Sequence, residues 1–118
     1  MVRATKVVPT FGVPDMSEAC AFYTEKLGFK LEWTWGDPPA HVALSLGEVE
    51  IHLNSGDLGS SERFWVYFVV DDVDAMYRQC VESGVETRGE PEDQPWAMRE
   101  FSIVDLNGYR LVFGQGTE

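Results

Sequence analysis

Phe11-Gly12-Val13-Pro14-Asp15-Met16 recurs 57 residues later as Phe68-Val69-Val70-Asp71-Asp72-Val73. In both places a short apolar run ends at an aspartate able to cap a helix, and Asp15 has Glu18 three residues on as a capping-box partner. Met16, Ala19, Cys20, Tyr23 and Leu27 then recur at helical spacing, as do Val73, Met76, Tyr77, Cys80 and Val81 after Asp72. Gly28 and Gly84 close the two helices at the C′ position. Asp15 to Gly28 spans 13 residues and Asp72 to Gly84 spans 12, so the spacing predicts an internal duplication.

Working outward, each helix is preceded by one strand and followed by three. In the first half the strands are 7–13, 29–35, 41–46 and 49–53, separated by Gly36-Asp37-Pro38-Pro39 and Gly47-Glu48 turns. Strict alternation puts Val49, Ile51 and Leu53 on one face of the fourth strand, with Glu50 and His52 on the other. Pro9 cannot donate to a ladder, which points to an edge, a bend or a crossing to a partner chain. Residues 54–63 are polar and glycine-rich and read as a connector.

The second half reads as strands at 64–70, 85–88, 99–104 and 109–113, with a loop at 89–95. Pro95 stiffens that loop and holds Trp96 at its tip, where Trp96 either packs on the core or faces a ligand. Asp105-Leu106-Asn107-Gly108 is turn chemistry, with Asn-Gly able to take positive φ at both residues, and Tyr109 to Phe113 should alternate. The fold class is therefore α+β: two βαβββ repeats, at about 5–54 and 64–114, in a single domain over 1–118. Each repeat sets one helix on a four-stranded sheet and leaves the other face free, and two such sheets are expected to curl into a half-open barrel.

The chain carries 9 basic and 20 acidic residues, a net charge of −11. That argues against nucleic acid or anionic membrane as a partner and suits a cationic ligand. No apolar run approaches the roughly 20 residues needed to span a bilayer, and no signal-peptide core follows the N-terminal charges. The expected location is cytoplasmic. The two cysteines form no metal-type pair, and both are expected as buried free thiols on apolar helix faces.

Ala21-Phe22-Tyr23-Thr24-Glu25-Lys26-Leu27-Gly28-Phe29 and Asp105-Leu106-Asn107-Gly108, within two such repeats, resemble the vicinal oxygen chelate superfamily of glyoxalases, extradiol dioxygenases and bleomycin-resistance proteins. Val8-Pro9, Phe64-Trp65-Val66-Tyr67 and Gln94-Pro95-Trp96 before Arg99-Glu100-Phe101 resemble the bleomycin-resistance group in particular. That resemblance implies a homodimer exchanging N-terminal strands, with clefts that sequester a cationic drug without chemistry. One departure is Ala97-Met98, where the nearest pattern has a single glycine, an extra residue expected to reshape the cleft mouth.

The superfamily's enzymes hold a divalent metal on cavity-facing His, Gln or Glu side chains. Carried over by register, three ligand positions fall on Val8, Trp65 and Val112, none of which can ligate a metal. The fourth falls near Glu50 and His52, and His41 on the neighbouring strand leaves a non-standard His41, Glu50 and His52 site as the alternative. The expectation is no metal or other cofactor and no catalytic residues. The ligand-binding set implied by the resemblance and the alternation is Glu32, Trp33, Trp35, Glu50, His52, Trp65, Tyr67, Trp96, Met98 and Glu100. Flat aromatic surfaces there can stack on a planar or cationic group, with Glu32, Asp37, Glu50, Glu92, Asp93 and Glu100 among them in sequence. The first functional reading is sequestration of a cationic, aromatic, bleomycin-like compound. The alternative is a metal-dependent enzyme of the glyoxalase or dioxygenase type.

Overall fold

The computed structural model describes residues 3, 5–56 and 65–118. Phe64 and most of the expected 54–63 connector lie outside the described residues. The element order is β1 (Thr10–Val13), α1 (Met16–Ala21), a π-helical turn (Phe22–Lys26), β2 (Lys30–Trp35), β3 (His41–Leu46), β4 (Val49–Ser55), β5 (Trp65–Val69), α2 (Val73–Glu82), β6 (Thr87–Gln94), β7 (Met98–Val104) and β8 (Arg110–Gly116). Contacts divide the chain into two compact units, residues 1–24 with 28–58 and residues 25–27 with 59–118. No helix among the described residues is long and apolar enough to cross a membrane.

The two sheets are ordered alike, β1-β4-β3-β2 and β5-β8-β7-β6. In each, the first and last strands pair in parallel and the other contacts are antiparallel. The parallel registers correspond, with β5 displaced from β1 by 57 residues and β8 from β4 by 60: Thr10 lies opposite His52, and Tyr67 lies opposite Val112. Both helices start as their sequences predict. Asp15 Oδ1 accepts from Glu18 N at 3.0 Å, and Asp72 Oδ1 accepts from Ala75 N at 3.0 Å. Gly28 and Gly84 take φ of 83° and 77°, the left-handed conformation glycine reaches without strain.

In the first unit α1 packs against β4 over a core of Phe11, Val13, Tyr23, Val42, Leu44, Ile51 and Leu53, each fully buried. Tyr23 meets Phe29 edge to face at 5.4 Å. In the second, α2 lies on β6, β7 and β8. There Phe113 stacks between Phe68 at 5.1 Å and Phe101 at 5.5 Å, with Tyr77 edge-on to Phe101. Burial of each such side chain stabilises by about 1.5–3 kcal/mol before chain entropy is counted. The helix-facing rows are thus apolar, and the opposite face of each sheet carries the polar and aromatic residues.

Several elements differ from the sequence reading. β1 begins at Thr10, and Val7 to Pro9 precede it, although the Pro9 carbonyl still accepts from His52 N at 2.9 Å. β4 runs on through Asn54 and Ser55, which are strand and not connector. β6 spans Thr87–Gln94, so the expected 89–95 loop is mostly strand. It is an edge strand, and Pro91 lies within a register shift between Arg88 and Glu92, where no ladder donor is required.

In the β7–β8 connection, Gly108 takes φ of 91° and Asn107 does not join it. Asp105 shapes that turn, its Oδ1 accepting from the backbone N of Asn107 at 2.8 Å and of Tyr109 at 2.9 Å. β8 does not alternate, because Leu111, Val112, Phe113 and Gly114 are all buried. Val81 is exposed, not on the inner face of α2, and Cys20 is half-buried while Cys80 is fully buried.

Candidate functional site

The register of the first sheet assembles one polar and aromatic face. Trp35 pairs with His41, which pairs with Asn54; Trp33 pairs with Ala43, which pairs with His52; Ser45 pairs with Glu50. Residues two apart along a strand share a face, so Trp33, Trp35, His41, Asn54, His52 and Glu50 all project the same way. A bulge between Leu31 and Trp33 gives Glu32 to this face as well, where it accepts from Ser45 Oγ at 3.1 Å. The Gly36 turn joining β2 to β3 requires glycine, since φ is 95° and a Cβ would sit 3.1 Å from the Pro38 carbonyl oxygen.

Trp33, Thr34, Trp35, Ala40, His41, Asn54 and Ser55 line an open cleft of about 840 Å³. Trp35 is 69% exposed and Trp33 47%. Their indoles therefore contribute little to the folded core and offer flat apolar area to a ligand. Trp33 stacks on His41, with centroids 5.8 Å apart and planes 20° from parallel, and meets His52 edge-on at 5.2 Å.

Behind the indoles runs a continuous line of hydrogen bonds. Asn54 Nδ2 meets His41 Nδ1 at 2.8 Å, His41 Nε2 meets His52 Nδ1 at 2.8 Å, and His52 Nε2 meets Glu50 Oε2 at 2.5 Å. The other Glu50 oxygen accepts from Lys6 Nζ at 2.6 Å. The hydrogen bond from Lys6 and then that from His52 hold the Glu50 carboxyl below the usual carboxylate range.

This arrangement does not fit a metal. His41, Glu50 and His52 are brought together as the alternative reading required, yet all four ring nitrogens are turned onto protein partners. No trio of His, Cys, Asp or Glu among the described residues is arranged to hold an ion.

The remaining expected residues belong to the second unit. By register, Trp65, Tyr67, Met98 and Glu100 share one face with Ser102, Arg110 and Val112. Tyr67 Oη donates to Glu100 Oε2. Burial, and then the adjacent carboxylate, push the Tyr67 phenol up to about 12. The Arg110 guanidinium lies 5.6 Å over the Trp65 ring, a cation–π contact. Trp96 stands in the turn between Gln94 and Met98 and is 61% exposed, so it is not a core residue. Ala97 beside it adopts φ of 63°, the conformation glycine favours.

The carboxylates expected to face a cation are largely partnered. Glu50 binds Lys6, Asp93 binds Arg99 at 3.2 Å, Glu100 binds Tyr67, and Glu32 lies 3.5 Å from Lys30. Lys6, Asn54 and Arg110 were missed in the sequence. Alternation from His52 and Val112 points to Asn54 and Arg110, whereas nothing local marks Lys6.

The family model described as the Glyoxalase/Bleomycin resistance protein/Dioxygenase superfamily matches residues 7–113. A search of curated proteins gives no significant match. Among solved structures, a bleomycin-binding protein complexed with bleomycin is 26% identical, with TM-score 0.77, covering 96% of this chain and 99% of its own. The bleomycin resistance determinant encoded on transposon Tn5 is 24% identical, with TM-score 0.81, covering 98% of this chain and all of its own. TioX from Micromonospora sp. ML1 is 20% identical, with TM-score 0.83, covering 96% of this chain and 99% of its own.

Proposed function

The chain belongs to the glyoxalase/bleomycin resistance protein/dioxygenase superfamily, and we propose that within it this protein binds and sequesters a cationic, aromatic, drug-sized molecule without transforming it. The observation that carries the reading is the open cleft of about 840 Å³ bearing the exposed indoles of Trp33 and Trp35. That volume falls within the range of small-molecule pockets. A planar ring laid on either indole gains stacking and, where cationic, cation–π attraction.

The net charge of −11 raises the local concentration of cations by long-range attraction, even where individual carboxylates are paired. The bleomycin-binding relative supports bleomycin as the first compound to try. The working form is a homodimer, with Pro9 ahead of β1 at the crossing of exchanged N-terminal segments, and light scattering should give about twice 13.3 kDa.

The test is a calorimetric titration with bleomycin and a set of cationic aromatic antibiotics, on wild type and Trp35→Ala. Stacking on one aromatic contributes about 1–3 kcal/mol, so Trp35→Ala should weaken binding roughly ten- to a hundredfold. The melting temperature should hold, because the side chain is 69% exposed. Unchanged affinity in the mutant, or heat of binding from none of the compounds, sinks the reading.

A further inference from the structure

We propose that the hydrogen-bond chain Lys6–Glu50–His52–His41–Asn54 sets the polarity of the cleft, fixing the Asn54 amide so that the site selects planar ligands that donate a hydrogen bond from the ring edge. The proposal deepens the sequestration reading and rests on it. Its direction is set at the Glu50 end. An ionised carboxylate has only lone pairs to offer, and Lys6, with only donors, holds Glu50 in that form.

His52 Nε2 must therefore carry its hydrogen toward Glu50 Oε2. In the neutral ring this leaves Nδ1 as an acceptor, so His41 Nε2 donates to it across 2.8 Å. His41 Nδ1 is then bare and takes a hydrogen from Asn54 Nδ2 at 2.8 Å. Each ring nitrogen has one partner and one role, and a single donor–acceptor direction runs from Asn54 through His41 and His52 to Glu50, which Lys6 meets as a donor from the other side. Trp33 clamps the pair, stacked on His41 and edge-on to His52, so neither ring can turn over without unstacking.

The consequence lies at the cleft end. One Nδ2 hydrogen given to His41 fixes which way the amide faces; Asn54 Oδ1 has no partner among the described residues, and Asn54 lines the cleft beside Trp33 and Trp35. A ring lying on the indoles thus meets an amide oxygen at its edge. A ring N–H satisfies that oxygen, while a ring oxygen leaves it desolvated and unpaired. Reversing the chain would present the amide nitrogen instead and invert the preference. Glu50, His52 and His41 are positioning residues here, acting on ligand through Asn54.

Two measurements on the intact protein test this. The chain has two histidines, so long-range proton–nitrogen correlation spectra resolve both rings. At neutral pH both should be protonated at Nε2 and bare at Nδ1; a hydrogen on His41 Nδ1 overturns the proposal. The second measurement compares tryptamine with 2-(benzofuran-3-yl)ethylamine, two cationic aromatics that differ in a ring N–H against a ring oxygen. Wild type should bind tryptamine about tenfold more tightly, the scale of one net hydrogen bond.

Glu50→Gln keeps the shape but can offer an N–H to His52 and lets the chain reverse, so the ratio should collapse toward one; Asn54→Leu should abolish it. A ratio near one in wild type, a ratio unchanged by Glu50→Gln, or binding of neither probe refutes the selectivity. Bleomycin binding with the wrong tautomers would refute the chain and leave sequestration standing. Correct tautomers with no cationic aromatic bound would do the reverse.

Discussion

Gly114 carries no chemistry, yet replacing it with alanine should disturb the Tyr67–Glu100 pair. Gly114 pairs with Glu100 on β7 and with Val69 on β5, which places it directly beneath the Tyr67 ring. A Cβ built there collides with the phenol, reaching Tyr67 Oη first and lying 2.7 Å from Cζ and 3.0 Å from Cε1. The ring must swing away and release Glu100. Overpacking of this kind costs about 1–3 kcal/mol. The lost hydrogen bond adds about 1 kcal/mol, less than a buried charge-assisted one because Tyr67 is 40% exposed. Alanine returns about 0.4–1 kcal/mol by stiffening the unfolded chain, since the Gly114 backbone is not left-handed. The net is a destabilisation of about 1–3 kcal/mol.

At roughly 2.1 cal/mol/K per residue of unfolding entropy, 118 residues lose about 4 °C of melting temperature per kcal/mol. Gly114→Ala should therefore melt about 4–12 °C lower. In a Tyr67→Ala background there is no ring to meet, and the same substitution should change sign and stabilise slightly. The phenol supplies a second readout. Its folded value is raised to about 12, so its contribution to stability is present below the ordinary tyrosine value near 10 and is lost as pH rises through about 12. Ultraviolet titration, differenced against Tyr67→Phe, should isolate the Tyr67 phenol at about 12 in wild type and show it moving down in Gly114→Ala. Equal melting shifts in both backgrounds, with that phenol unmoved, would mean that Tyr67 does not lie over Gly114.

Asp105→Ala should cost about 2–4 kcal/mol, since it strips the side-chain acceptor from two backbone N–H groups at a buried turn; denaturant melts would show it, and Asp105→Asn, which keeps an acceptor oxygen, should cost less. Burial raises the Cys80 thiol to about 11 and raises Cys20 by less complete burial. Under native conditions a thiol reagent should label Cys20 first, and a Cys20→Ser variant should react only at a rate set by opening of the fold. Arg99 binds Asp74 on α2 at 3.1 Å and Asp93 on β6 at 3.2 Å. Both bridges are partly exposed, so Arg99→Met should lower the melting temperature only slightly, and salt should narrow the difference.

The helices were the most legible part of the chain, because their signals are local. Asp15 and Asp72 cap, Gly28 and Gly84 stop, and the apolar spacing between them needs no knowledge of distant contacts. Strands were legible where one face is polar, as in β4, and illegible where context overrides composition. β6 contains Gly89, Glu90 and Pro91, which read as a loop in isolation. At a sheet edge a bulge absorbs the proline, and pairing with β7 supplies what local propensity lacks. β8 fails the alternation test for a different reason: Leu111 and Phe113 fill the helix side, while the Tyr67 ring covers Gly114 on the other.

The site divides along the same line. Parity places Glu50 and His52 on one face of their strand, and the sheet register adds Trp33 and Trp35 to that face. What they do to one another could not be read, because it depends on which atom meets which. Composition marks Glu50 as a free carboxylate suited to a cation, but Lys6, 44 positions away, spends that charge and turns it into the anchor of a hydrogen-bond line. The same holds for His41 and His52, which a motif reader scores as metal donors. Once Glu50 accepts on one side and Asn54 donates on the other, the bare nitrogen of each ring accepts a hydrogen bond, His52 Nδ1 from His41 and His41 Nδ1 from Asn54, and neither lone pair is left for an ion. On the proposed reading, such a cleft would recognise ligand by aromatic surface and by one oriented amide, with the attracting charge carried by the chain as a whole.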